Sequence, residues 1–109
     1  MSELERWSKA IDEYGELIPH HLVEGIKRYV LYGQPVGDFL TNVFENNFMG
    51  IVGRADATNM FLLPVYAQLL YNATPTLCHG SPARVTDWIE MGGIKGMELA
   101  ALKGEDDED

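Results

Sequence analysis

Apolar residues recur at three- and four-residue intervals along most of this chain, and no stretch alternates long enough to build a sheet, so the pattern predicts an all-α domain. The first segment, SELERWSKAIDEY, sets Leu4, Trp7 and Ile11 on one face and Glu5, Lys9, Asp12 and Glu13 on the other. Ser2 and Glu5 have the spacing of a capping box, and Gly15 ends the helix. A second helix opens at Pro19, where a missing N–H needs no partner, and runs to Tyr32 before Gly33, with Leu22, Ile26, Tyr29 and Val30 as its buried stripe. A short helix with Phe39, Leu40, Val43 and Phe44 inward follows, and Asp38 stands near its N-terminal dipole. Asn46 and Asn47 can end that helix or cap the next, a brief turn in NFMGIVGR where Gly50 and Gly53 permit either close approach or bending.

The segment ATNMFLLPVYAQLLYN is apolar on nearly every side, which predicts the central helix of a small bundle, with Pro64 either kinking it or marking its first turn after a break. ATPTLCHG reads as a loop. SPARVTDWIEMGG carries Ser at the cap, Pro at the first position, Val85, Trp88 and Ile89 inward and a glycine pair to stop it. IKGMELAALKG predicts a last short helix with Met97, Leu99 and Leu102 against the body, weakened by two glycines. The expectation is a single bundle of about five to six helices over residues 1–103 and a disordered acidic tail over 104–109.

At 109 residues and 46% apolar composition the chain can fill one core without disulfides or metal. The single cysteine, Cys78, cannot form an internal disulfide, which fits a reducing cytoplasm, and the charged N-terminus and the interruption at Pro64 disfavour secretion and membrane insertion. The net charge of −9 is unevenly placed: residues 1–16 carry five acids against two bases, residues 17–104 seven against six, and EDDED five more. Such a chain repels phosphate backbones, so no direct nucleic-acid binding is expected and a charge-guided partner is basic. The usual role of an acidic tail like EDDED is solubility.

No catalytic signature emerges. His20 and His21 adjoin, as do Cys78 and His79, but neighbours on a helix point about 100° apart, unlike a chelating i, i+4 pair. No metal, cofactor or catalytic residue is assigned, and no glycine-rich phosphate loop occurs. Arg54 falls in the last turn of one helix, where a cation complements the dipole, and Asp56 just before the next, where a carboxylate caps. That corner does two local structural jobs, with partner contact as the alternative.

Taken together, IPHHLVEGIKRYVLYGQPVGDFLTNVFENN, GRADATN, YNATP and CHGSPARVTDWI resemble a family of short proteins encoded by bacteriophages and prophages, over roughly residues 17–92. Gly37, Phe39, Leu40, Arg54, Ala55, Asp56, Asn59, Tyr71, Asn72, Gly80, Ser81, Pro82 and Trp88 carry the likeness; NNF in place of an Asp-Leu step and His79 in place of a tryptophan depart from it. The resemblance implies a phage context in a bacterial host cytoplasm, not a reaction, and the family is largely without assigned function. In that context a small acidic protein is expected to occupy a basic surface of a host protein or ribonucleoprotein, an anti-CRISPR inhibitor of an effector complex being the sharpest form. The near-neutral middle of the chain favours steric blockade with acidic contacts over a whole-surface mimic of DNA. The competing expectation is a phage housekeeping or expression-control accessory, oligomeric through Phe and Met surfaces; an enzyme comes third. The expected partner-binding residues are Glu5, Asp12, Glu13 and Glu16 of the first helix, then Asp38 and Glu45, and the Arg54 and Asp56 corner.

Overall fold

A computed structural model describes residues 1–107. Eight α-helices and one 3₁₀ turn follow one another, and there is no strand among the described residues. They are α1 (Glu3–Tyr14), α2 (His20–Tyr32), α3 (Asp38–Phe44), α4 (Phe48–Arg54), α5 (Ala57–Phe61), α6 (Leu63–Ala73), the 3₁₀ turn (Thr76–Cys78), α7 (Pro82–Met91) and α8 (Gly93–Asp107). None is long and apolar enough to cross a membrane.

The punctuation of the sequence sets most boundaries. Ser2 Oγ accepts from the Glu5 N–H at 3.1 Å and starts α1; Ser81 Oγ accepts from the Arg84 N–H at 3.2 Å and starts α7. Asn47 caps α4 by accepting from the Gly50 N–H at 3.0 Å, while Asn46 takes a left-handed turn at φ 59°. Gly33 at φ 69° and Gly92 at φ 87° close α2 and α7 in the left-handed conformation. Gly93 is also left-handed, and a Cβ there would lie 2.6 Å from the Gly33 nitrogen, so the end of α2 meets the α7–α8 junction backbone to backbone. Gly50 serves close approach, because Asn42 Oδ1 occupies the space a Cβ would need; Gly53 faces open space.

α1 packs against α2 and α6, α2 also against α8, α3 against α4 and α7, and α7 against α8 and the 3₁₀ turn. Tyr29 of α2 ties these layers together. Its ring lies 4.2 Å from that of Phe44, its hydroxyl donates to the Cys78 carbonyl at 2.7 Å, and its own carbonyl accepts from Trp88 Nε1 at 3.0 Å. Ile11, Ile26, Val30, Leu69 and Ala73 complete the interior at 0% exposure.

Three expectations need correction. In α2 the buried stripe of Ile26, Tyr29 and Val30 continues through Val23 and not through Leu22, which is only half-buried. Of the two alternatives open at Pro64 the chain takes the break: Asp56 caps α5, the helix ends at Leu62, and Pro64 stands in the first turn of α6. The segment is not buried on every side: Tyr66, Leu69 and Ala73 join the core, whereas Phe61 and Tyr71 are each 85% exposed. The last helix does not stop at Lys103 but continues to Asp107; Ile94 anchors it, and Leu99 and Leu102 lie exposed instead of against the body. The expected disordered tail thus begins inside a helix, and its last two residues, 108 and 109, lie outside the described residues.

Candidate functional site

The acidic residues singled out from the sequence fall into two groups. Glu5, Asp12 and Glu13 lie on the water-facing side of α1, opposite Leu4, Trp7 and Ile11, and Glu16 sits in the turn after it. Ile11 is fully buried and Leu4 and Trp7 pack against the core, so the helix is held and its acids are presented outward. Asp12 is already partnered, its Oδ1 2.6 Å from Lys27 Nζ on α2. Glu5, Glu13 and Glu16 are exposed and make no ion pair among the described residues. Glu5 and Asp12 border a shallow cleft of about 360 Å³ with Ser8, Lys9, Leu31 and Tyr32.

The second group is the corner joining α3, α4 and α5. Arg54, in the last turn of α4, lies 3.4 Å from Asp38 Oδ2 in the first turn of α3, both exposed. Asp56 caps α5 by accepting from the Asn59 N–H at 2.8 Å. Beneath it Asn59, 8% exposed, accepts through Oδ1 from the Tyr66 hydroxyl at 2.7 Å. Burial raises the Tyr66 phenol well above its ordinary range, and the nearby Asp56 carboxylate adds to the rise. Both structural jobs expected of Arg54 and Asp56 are therefore present. Glu45 ends α3 half-buried and adds negative charge near Tyr29.

Cys78 and His79 do not form an activated nucleophile. Cys78 is 0% exposed, and burial pushes its thiol up to about 12, the opposite of the depressed value a thiolate nucleophile needs. Burial lowers the His79 imidazole, and the neighbouring Arg84 guanidinium lowers it further. Arg84 braces the loop, donating from Nη1 to the Thr76 and His79 carbonyls at 3.3 and 3.2 Å. No group of three or more His, Cys, Asp or Glu side chains is placed to hold a metal ion among the described residues.

The chain matches no protein-family model, no curated protein and no solved structure. The surfaces themselves therefore carry the functional argument, and one of them was missed by the sequence pattern. Phe48, Met49 and Val52 of α4 are 68%, 73% and 39% exposed. Beside them a groove of about 340 Å³ runs between α4 and α6, walled by Phe48 and Ile51 on one side and Leu63, Pro64, Ala67 and Leu70 on the other. Tyr71 stands one turn beyond Ala67 on the same exposed stripe of α6. The signal was present: no Asp, Glu, Lys or Arg occurs from Ala57 to Ala83, which reads as burial until the exposure is seen.

Proposed function

We propose that this protein acts by occupying the surface of another macromolecule, not by catalysis, and that α1 meets a basic surface of a nucleic-acid-handling partner. The observation that carries this reading is the set Glu5, Glu13 and Glu16: exposed, without ion pairs among the described residues, the first two displayed by a helix whose other side is anchored at Trp7 and Ile11 and the third in the turn that follows it. Pre-positioned carboxylates of this kind raise the association rate with a cationic groove and compete with phosphates for it. Asp12 contributes less than the sequence implied, because Lys27 already neutralises it. In the phage setting that the sequence resemblance implies, the partner is a host defence ribonucleoprotein such as a CRISPR effector complex, and nucleic-acid access to it is what the protein blocks.

The test is capture from a bacterial lysate over a salt series, with the double variant Glu5→Lys and Glu13→Lys beside the wild type. The reversal should weaken capture of a nucleic-acid-binding complex about 10-fold or more at low salt, by slowing association, with the difference shrinking as salt screens the charges. Equal capture by both proteins at low salt contradicts the proposal. A second reading, a phage accessory protein working through apolar contacts, is supported by the exposed Phe48, Met49 and Phe61. It predicts capture of virion proteins that persists in high salt.

A further inference from the structure

We infer that the α4–α6 face is the contact between two copies of this chain, related by a two-fold axis. Charge selects the occupant. At −9, two copies that meet through α1, or through the acidic C-terminal stretch, repel each other. Between Asn46 and Ala83 the sequence holds one cation and one anion, Arg54 and Asp56, so this is the face on which two copies approach without opposing like charges. A strongly basic partner, by contrast, finds little counter-charge here and is directed to α1.

Shape points the same way. The patch carries a projection and a recess side by side: Met49 stands out from α4 at 73% exposure, and the apolar groove of about 340 Å³, rimmed by its neighbour Phe48, lies between α4 and α6. A two-fold axis through such a patch lets the projection of each copy enter the recess of the other, the self-complementarity an isologous interface requires. Area is sufficient to nucleate the contact. Phe48 at 68% and Tyr71 at 85% exposure offer roughly 300 Å² between them, on the 150–250 Å² scale of an aromatic side chain. Met49, Val52 and the groove walls bring the patch toward the roughly 800 Å² per partner of a standard interface. The inference stands apart from the proposal for α1, because it concerns the protein alone.

Sedimentation equilibrium of the purified full chain tests it. Wild type should sediment at twice its 12.2 kDa chain mass at concentrations of about 100 µM. The dimer should hold or tighten as NaCl rises from about 50 mM to about 500 mM, since salt screens the repulsion between acidic copies while the contact itself is apolar. Met49→Lys and Phe48→Glu, each at an exposed position, should weaken dimerisation at least 10-fold with unchanged far-UV circular dichroism. Leu102→Glu, an equal insult on the exposed side of α8, should leave it intact. A monomer at about 100 µM overturns the inference, as does dissociation by salt, a dimer indifferent to both α4 variants, or equal loss in Leu102→Glu.

Discussion

Trp88 joins α7 to α2 inside the core. It is 1% exposed, and its indole N–H reaches the carbonyl of Tyr29 on a helix far away in sequence. Trp88→Ala should cost about 3–5 kcal/mol, because both the cavity and the lost contacts count. Trp88→Phe keeps much of the bulk and should cost about 1–3 kcal/mol, for the lost indole volume and the lost bond to the Tyr29 carbonyl, which still accepts from the Gly33 N–H. Urea unfolding checks the order, and wild-type behaviour of Trp88→Ala would remove Trp88 from the core. The buried Cys78, Tyr29 and Tyr66 also set the pH range of the fold. All three have acid groups raised by burial, so the native state keeps them neutral while the unfolded chain ionises. The stability they contribute is complete below about 9, the ordinary thiol value, and is lost as pH rises toward about 12. His79 works at the other edge: its lowered value means the unfolded chain takes up a proton first, so stability falls as pH drops below 6.5. Thermal melts across pH should show Tm highest between these limits, and a Tm that climbs above pH 9 would contradict the burial of the three acids.

At the scale of elements, the boundaries were legible wherever a cap residue stands next to a periodic run. Ser2, Asp56 and Ser81 each cap a helix by accepting a backbone N–H three residues on, and Gly33 and Gly92 each end one. Asp56 and Arg54 offer a direct comparison at one corner. Asp56→Ala should cost about 0.5–2 kcal/mol through the lost cap. Arg54→Ala should cost less than about 1 kcal/mol, because its pair with Asp38 is exposed and long. Chemical denaturation of the two variants checks the difference, and the reverse order would mean that the ion pair rather than the cap holds the corner. The apolar run from Ala57 to Ala73 was the element misread. Uniform hydrophobicity does not distinguish a helix surrounded by protein from one whose outer side is bare, and Phe61 and Tyr71 stand on such a bare side. The exposed side of α8 was misread for the same reason: Leu99 and Leu102 have the spacing of a packed stripe, but no neighbouring helix among the described residues covers them.

The whole molecule separates its surfaces by chemistry, with carboxylates on α1 and a nearly charge-free apolar face on α4 and α6. Half of the candidate site was legible in advance. The acids of α1 stand outward as their periodicity required, whereas the neutralisation of Asp12 by Lys27 depends on how α1 and α2 pack, which no local pattern encodes. The apolar face was written in the sequence as an absence of charge, and only the fold reveals which side of those helices is bare. The central claim, that the carboxylates of α1 take the place of nucleic acid on a basic partner, is tested most directly by competition: labelled DNA or RNA is bound to the captured complex and the purified protein is titrated in. Displacement should be complete at low salt, should weaken as salt rises, and should need about 10-fold more of the Glu5→Lys and Glu13→Lys variant. Nucleic acid that stays bound at saturating protein, or that is displaced equally well by the reversed variant, would contradict it.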